Sequence, residues 1–322
     1  MTITDAVPPI QRDRFGRPLV IPPEGGKPEP YTRATTLAET LDDRYNLELW
    51  KLRQVAIGLA ARPDLLALVG AQRDDKAALN RICADALDAS QSGAAANKGT
   101  ALHAFTEQLD RGQEPFGVPA SMVPDLAAYR EATAPYSVLG IETFVVCDEL
   151  KVAGTFDRIF GHKDHPDRLP LIADLKSGAG AFSYGQPTIA VQLAVYSHSE
   201  RYNPATGERS PLNVDQSTAL VIHLPAETGA VELYEVDIAA GWVAAKEAVW
   251  VREWRKQRGL FSKVDAADPG LALLASVAAT DTVADLYALW RRVTADTPDK
   301  ADTEPLIALF AARKAQILSA AT

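Results

Sequence analysis

Cysteine is scarce in this chain. The two that occur, Cys83 and Cys147, exclude a disulfide framework and a four-thiolate metal or iron–sulfur site, and they fit a reducing, cytoplasmic setting. No apolar run approaches the roughly 20 residues that a membrane span needs. Met1 to Gly16 lack a basic start followed by an apolar stretch, so no secretory signal is expected. An excess of cations is also missing. The formal net charge of −9 argues against a protein that coats nucleic acid through clustered Lys and Arg, although an acidic body can carry a local basic groove. No internal repeat is evident. What is present is ordinary for a globular protein: 47% hydrophobic and 23% charged residues exclude a disordered chain or a fibre. The 322 residues suffice for two domains, or for one large domain with an appendage.

Residues 1–30 hold seven of the prolines, from Pro8 to Pro30, and read as an extended arm. From Thr36 the apolar spacing turns helical, and Leu41, Tyr45, Leu49 and Leu52 predict a helix to about Ala60. Pro63 starts a short helix, and Lys76–Ala89 and Gly93–Leu109 give two more, the last ended by Gly112. Another follows Pro119 or Pro124. The period then changes. Glu142–Cys147 and Lys151–Phe160 predict a hairpin, and Leu169–Ser177 a third strand ended by Gly178 and Gly180. Pro187 opens a helix expected to run to about Tyr202. Ser217–Leu224 and Val231–Val236 read as strands, and Ala239 to about Lys256 as a helix. Two apolar stripes, on Leu286, Leu289, Trp290 and Val293 and on Leu306, Leu309, Phe310 and Ile317, predict a small helical hairpin over 270–322, appended to a main domain over 31–265. Cys83 is expected in the core. Trp242, Trp250 and Trp254 are expected to pack, with Trp254 beside Arg252 and Arg255 the one that could touch DNA.

Side chains alternate along a strand, so Ile172, Asp174 and Lys176 share one face of the third strand and Leu169, Leu171, Ala173 and Leu175 the other. A carboxylate and an ammonium at the end of an apolar strand fit either an exposed ion pair or a cation site. In the second strand Asp157 stands in a β-prone apolar context where Asp is disfavoured, and Gly154 marks a bulge or a close approach. Asp157 belongs either to the polar face of a hairpin or to a shared cation with Asp174; Mg²⁺ and Mn²⁺ prefer such oxygen ligands. His103 and Glu107, four apart, lie on one helix face, as a packed or surface pair or as part of a site. Gly99 inside that helix costs about 1 kcal/mol relative to Ala and hints at a packing or access requirement. Gln192 and Tyr196 are again four apart. His162, Asp164, His165 and Asp167 surround Pro166 and read as a solvated loop. Ser177 to Gly180 lack the rest of a phosphate-binding loop.

The order of these elements is more specific than any of them: G-T-x-x-H-x-x-x-E, a strand bearing Glu142, G-T-x-D, D-x-K, then Q-x-x-x-Y. The series resembles the PD-(D/E)XK nuclease superfamily, in particular the RecB-like exonuclease branch and its phage-encoded members. The resemblance covers Gly99 to Tyr196 closely and extends to a helical lead-in over Thr32–Asp64. It implies an α/β, restriction-endonuclease-like core: a mixed central sheet flanked by helices, with a helical N-terminal region. It implies Mg²⁺- or Mn²⁺-dependent hydrolysis of DNA, most of all exonucleolytic, in recombination, repair or phage DNA metabolism. The alternatives are a structure-specific or nicking endonuclease and a non-catalytic DNA-binding protein on a decayed nuclease fold. The implied partners are DNA and a recombination or single-strand-binding protein. Carried over by position, His103, Asp157 and Asp174 are metal ligands, joined by the carbonyl of Leu175. Lys176 is catalytic, and Glu142 is an acidic residue near the metal. Gln192, Tyr196, Glu107 and Thr100 support the site or contact DNA. Phe156 stands where the superfamily's name has proline. The iron–sulfur members need four cysteines, so no cluster is expected.

Overall fold

Pro63 and Pro187 each open a helix in the computed structural model, which describes residues 9–90, 92–178, 180, 182, 185–263, 269–295 and 304–320. Proline is tolerated there because a first-turn N–H has no partner to lose. The arm before them is partly docked. β1 (Leu19–Val20) and β2 (Glu29–Pro30) pair antiparallel, and β3 (Thr32–Arg33) runs parallel to β5 (Val152–His162). Tyr31 donates to Asp148 at 2.7 Å, and Arg209 binds both oxygens of the same carboxylate at 2.9 Å.

The single helix expected from Thr36 is broken. α1 (Ala34–Ala38) and a short 3₁₀ turn precede α2 (Tyr45–Ala61). Asp43 causes part of the break: its carboxylate accepts the amide of Tyr45 at 3.0 Å, a local alternative to the helical bond. α3 (Pro63–Ala71) and α4 (Lys76–Ala89) follow, the latter capped by Asp75. Cys83 is exposed on α4 rather than buried in a core; Ala78, Ile82 and Ala86 form the buried stripe of that helix.

α5 (Ser92–Asp110) and α6 (Val123–Thr133) lead into a meander of β4 (Tyr136–Cys147), β5 and β6 (Leu171–Lys176). β4 starts six residues before the expected Glu142, and the hairpin carries a register shift between Val138 and Gly140. α7 (Gln186–Ser197) stops five residues short of Tyr202. Ser197 and Ser199 turn their hydroxyls back to the carbonyls of Ala194 and Val195, and the chain leaves the helix as β7 (Glu200–Tyr202), which pairs with β4. β8 (Arg209–Pro211), β9 (Thr218–His223), β10 (Glu232–Asp237) and α8 (Ile238–Trp254) complete the main body.

Eight strands form one mixed sheet in the order β10-β9-β6-β5-β4-β7-β8, with β3 on β5; β6 and β9 are parallel, as their long crossover through α7 requires. One face packs under α1, α7 and α8, where Leu37, Leu193 and Ala245 meet Phe156, Ile172 and Val221. The other packs under α5 and α6, where Leu102 and Tyr129 meet Phe160, Ala173 and Leu175. The molecule is therefore α/β, with helices on both faces of the sheet.

The chain divides into a unit over Met1–Lys256 and a second over Gln257–Thr322. The second contains α9 (Pro269–Ala278), α10 (Val283–Ala295) and α11 (Glu304–Ala320), three helices where two were expected, around Val277, Leu286, Leu289 and Phe310. Of the three tryptophans expected to pack, Trp242 stacks on His198 at 4.1 Å, whereas Trp250 and Trp254 are exposed and stack on each other at 6.0 Å. Among the described residues no single helix is long and apolar enough to cross a membrane; α2 and α3 meet that measure only as a pair bent by 107°.

Candidate active site

The β5–β6 ladder opens at Asp157 and Asp174. Cα pairing runs Phe160–Leu171, Ile159–Ile172 and Arg158–Ala173, and stops there. In place of the next backbone bond, the amide of Leu175 donates to Asp157 Oδ2 at 2.8 Å. A carboxylate thus satisfies a strand amide at the fork between two strands. Across β5, Glu142 stands opposite Asp157, between the pairs Ile141–Arg158 and Thr143–Phe156, with a positive φ of 46°. That backbone conformation is rare for a residue other than glycine, Asn or Asp and occurs where surrounding structure imposes it.

Alternation on β6 places Ile172 on the α7 side and Leu171, Ala173 and Leu175 on the α5 side. Asp174 follows Ile172, and its side chain is only 5% exposed. Lys176 Nζ lies 2.7 Å from Asp174 Oδ2. The approach lacks hydrogen-bond geometry, so this buried oxygen has no hydrogen-bond partner among the described residues. Asp174 is therefore buried and Lys176 half-buried, so the fully exposed ion pair that the sequence left open does not apply.

His103 reaches the same place from α5. Its Nδ1 is 3.4 Å from Asp157 Oδ2. Gly99, one turn earlier, lets α5 approach the strand end: a Cβ there would stand 2.5 Å from Ser177 Oγ. Thr100 lies on the same stretch of α5. Gly154 does the same on the opposite face, where a Cβ would meet the Tyr196 ring at 2.9 Å. Gln192 Nε2 donates to Tyr196 Oη at 3.3 Å. Glu107 pairs with Arg111, just past the end of α5.

Electrostatics tie these groups together. Burial raises the pKa of Asp174; Lys176 opposes that rise and the Asp157 charge adds to it. Burial alone would lower Lys176, but contact with Asp174 outweighs it and the net shift is upward, which keeps the ammonium charged. Glu142 is pushed up to about 7, first by desolvation and then by the carboxylates of Asp157 and Glu107. Burial also raises the phenol of Tyr196, with the charges of Asp174, Asp157 and Glu142 adding to it. His103, Glu142, Asp157, Asp174, Lys176 and Tyr196 thus share one electrostatic neighbourhood, with Glu107 at its edge.

Four residues behind the site carried no signal in the motif series. Arg158, Thr106, Asp110 and Tyr129 form a buried polar cluster between β5 and α5. Thr106 and Asp110 lie three and seven residues after His103, a helical spacing that places them on its face. Asp164, His165 and Asp167 lie in an exposed loop, as expected, whereas His162 ends β5, half-buried beside the Tyr136 ring.

No family model matches the chain, and no curated protein matches it.

Proposed function

We propose that the chain is a metal-dependent DNA nuclease of the PD-(D/E)XK type, with a restriction-endonuclease-like core. The observation that carries this reading is the fork between β5 and β6, where Asp157, Asp174 and Lys176 meet His103. The topology supports it as well: a helix, a three-strand meander, a crossover helix bearing Gln192 and Tyr196, and a strand parallel to the last of the meander.

The donor set suits a hard divalent cation. Asp174 Oδ2 is buried with the Lys176 ammonium as its one described partner, and Asp157 Oδ1 makes none of the described contacts while Oδ2 is held. Among the described residues no three His, Cys, Asp or Glu side chains yet stand close enough to enclose an ion; the ammonium of Lys176 lies against the carboxylate instead. Asp157 and Asp174 would hold Mg²⁺ or Mn²⁺, with His103 and the Leu175 carbonyl beside them. When bound, the ion supplies a Lewis acid that lowers the pKa of water and draws charge from phosphate oxygens. Lys176, held charged by Asp174, stabilises negative charge at the phosphate from a fixed position. Gln192 and the buried Tyr196 support the site from its α7 side.

Incubating linear and closed-circular DNA with Mg²⁺, Mn²⁺ or EDTA tests this reading. The expected result is metal-dependent loss of linear DNA from its ends. Nicking of circles would assign an endonuclease. Binding without cleavage under every metal would leave a non-catalytic DNA-binding protein and overturn the assignment.

A further inference from the structure

Arg158 follows Asp157 in β5 but takes no part in the chemistry just proposed. Its side chain is 1% exposed and lies on the α5 side of the sheet. Nε donates to Asp110 Oδ2 at 2.7 Å and Nη2 donates to Thr106 Oγ1 at 2.7 Å. Nη1 stands 3.5 Å from Asp157 Oδ2. Tyr129 donates to Asp110 at 2.8 Å, and its ring lies 5.8 Å from the guanidinium carbon.

One buried cation therefore joins the helix that carries His103 to the strand that carries Asp157. An ion pair serving the fold alone would need only Asp110. Here the third nitrogen of the fork stands within ion-pair distance, though not in a hydrogen bond, of the oxygen that Leu175 and His103 also contact, and Asp157 Oδ1 is left out of every described contact. Only a planar guanidinium reaches three such partners at once; an ammonium is a point charge on a flexible stem. The cation also offsets the charges of Asp157 and Glu142.

We propose that Arg158 is a positioning residue: through Asp110 and Thr106 it anchors α5, and through Nη1 it fixes the Asp157 carboxylate beside His103, so that one oxygen is presented to the metal. The proposal rests on the nuclease reading.

Removing Arg158 alone leaves Asp110 buried and unpaired, which destabilises the protein whatever the role of Arg158. The informative variant replaces the whole cluster with apolar groups: Arg158→Met, Asp110→Leu and Tyr129→Phe together, in the full chain. Mn²⁺ affinity is measured by calorimetry on protein shown to melt cooperatively. We expect Mn²⁺ binding to weaken about tenfold or more, as for other groups that orient metal ligands. Arg158→Lys, which keeps the charge and loses the fork, falls between this variant and the wild type. A cooperatively folded triple variant with wild-type Mn²⁺ affinity overturns the proposal. If the triple variant does not fold, Arg158→Lys decides, and wild-type affinity there overturns it equally. Asp174→Asn separates the two levels. Loss of Mn²⁺ binding in Asp174→Asn, with none in the Arg158 variants, overturns the positioning role alone. A wild-type protein that takes up no Mn²⁺ overturns both.

Discussion

At Asp174, burial and ion pairing act in opposite directions on one carboxyl group. Burial favours the neutral acid, and Lys176 favours the anion. Asp174→Ala removes one partner of that ion pair, which costs stability, but the Lys176 side chain keeps 25% of its surface exposed and its ammonium can turn to solvent. Asp174→Ala is therefore expected to lower the melting temperature while keeping the circular dichroism spectrum and a cooperative melt. It should lower DNA cleavage by about 10³-fold or more, because the residue acts on the metal. A variant that still cleaves DNA would sink the assignment of Asp174. Lys176→Met is expected to lower kcat by roughly 10²–10³-fold, the scale for one lost electrostatic contact to a developing anion, while Mn²⁺ affinity is kept. Glu142 gives a pH prediction. Its folded pKa of about 7 exceeds its ordinary value, so its contribution to stability is complete below about pH 4.5 and is lost as pH rises to about 7. Its side chain is solvent-exposed, which limits that contribution to the order of 1 kcal/mol or less. Between pH 5 and 8, without metal, the melting temperature of the wild type should fall more than that of Glu142→Gln; parallel curves would refute the shift.

Helices and strands take their places here through close backbone contacts. Gly241 of α8 packs on α7, where a Cβ would stand 2.4 Å from the carbonyl oxygen of Ala190. That atom cannot rotate away, so Gly241→Ala forces the helices apart and is expected to destabilise by about 1–3 kcal/mol in urea unfolding. Gly70 of α3 has nothing within 4 Å, so Gly70→Ala should instead stabilise by up to about 1 kcal/mol through helix propensity. The opposite signs are the check. Such contacts also explain what could be read in advance. Gly99 and Gly154 stood out as glycines inside regular elements, and each proved to admit Ser177 or the Tyr196 ring. Period-2 alternation placed Asp174 apart from Leu175 because a strand face is a local property. The end of α7 was not legible, because Ser197 and Ser199 end it with their own hydroxyls and β7 is then held by pairing with β4.

For the molecule as a whole, every residue assigned to the site lies within Met1–Lys256, a unit with its own sheet and core. A fragment ending at Lys256 is expected to fold and to retain metal-dependent cleavage of linear DNA; a fragment that is folded but inactive would assign the C-terminal helices a part in catalysis. The acidic total of −9 makes no contribution to attracting DNA, so on the nuclease reading attraction comes from local cations. The sequence by itself determined the types of the longer elements, the faces of β6, and the ordered set His103, Asp157, Asp174 and Lys176, because periodicity and motif spacing are local. Only the tertiary structure decided that Asp174 is buried with Lys176 half-buried against it, that β5 and β6 part at Asp157, and that Arg158 joins α5 to β5. Those facts depend on contacts between residues 18 to 54 positions apart, from Asp157 to Leu175 and from His103 to Asp157, and nothing in a local pattern records how such segments meet.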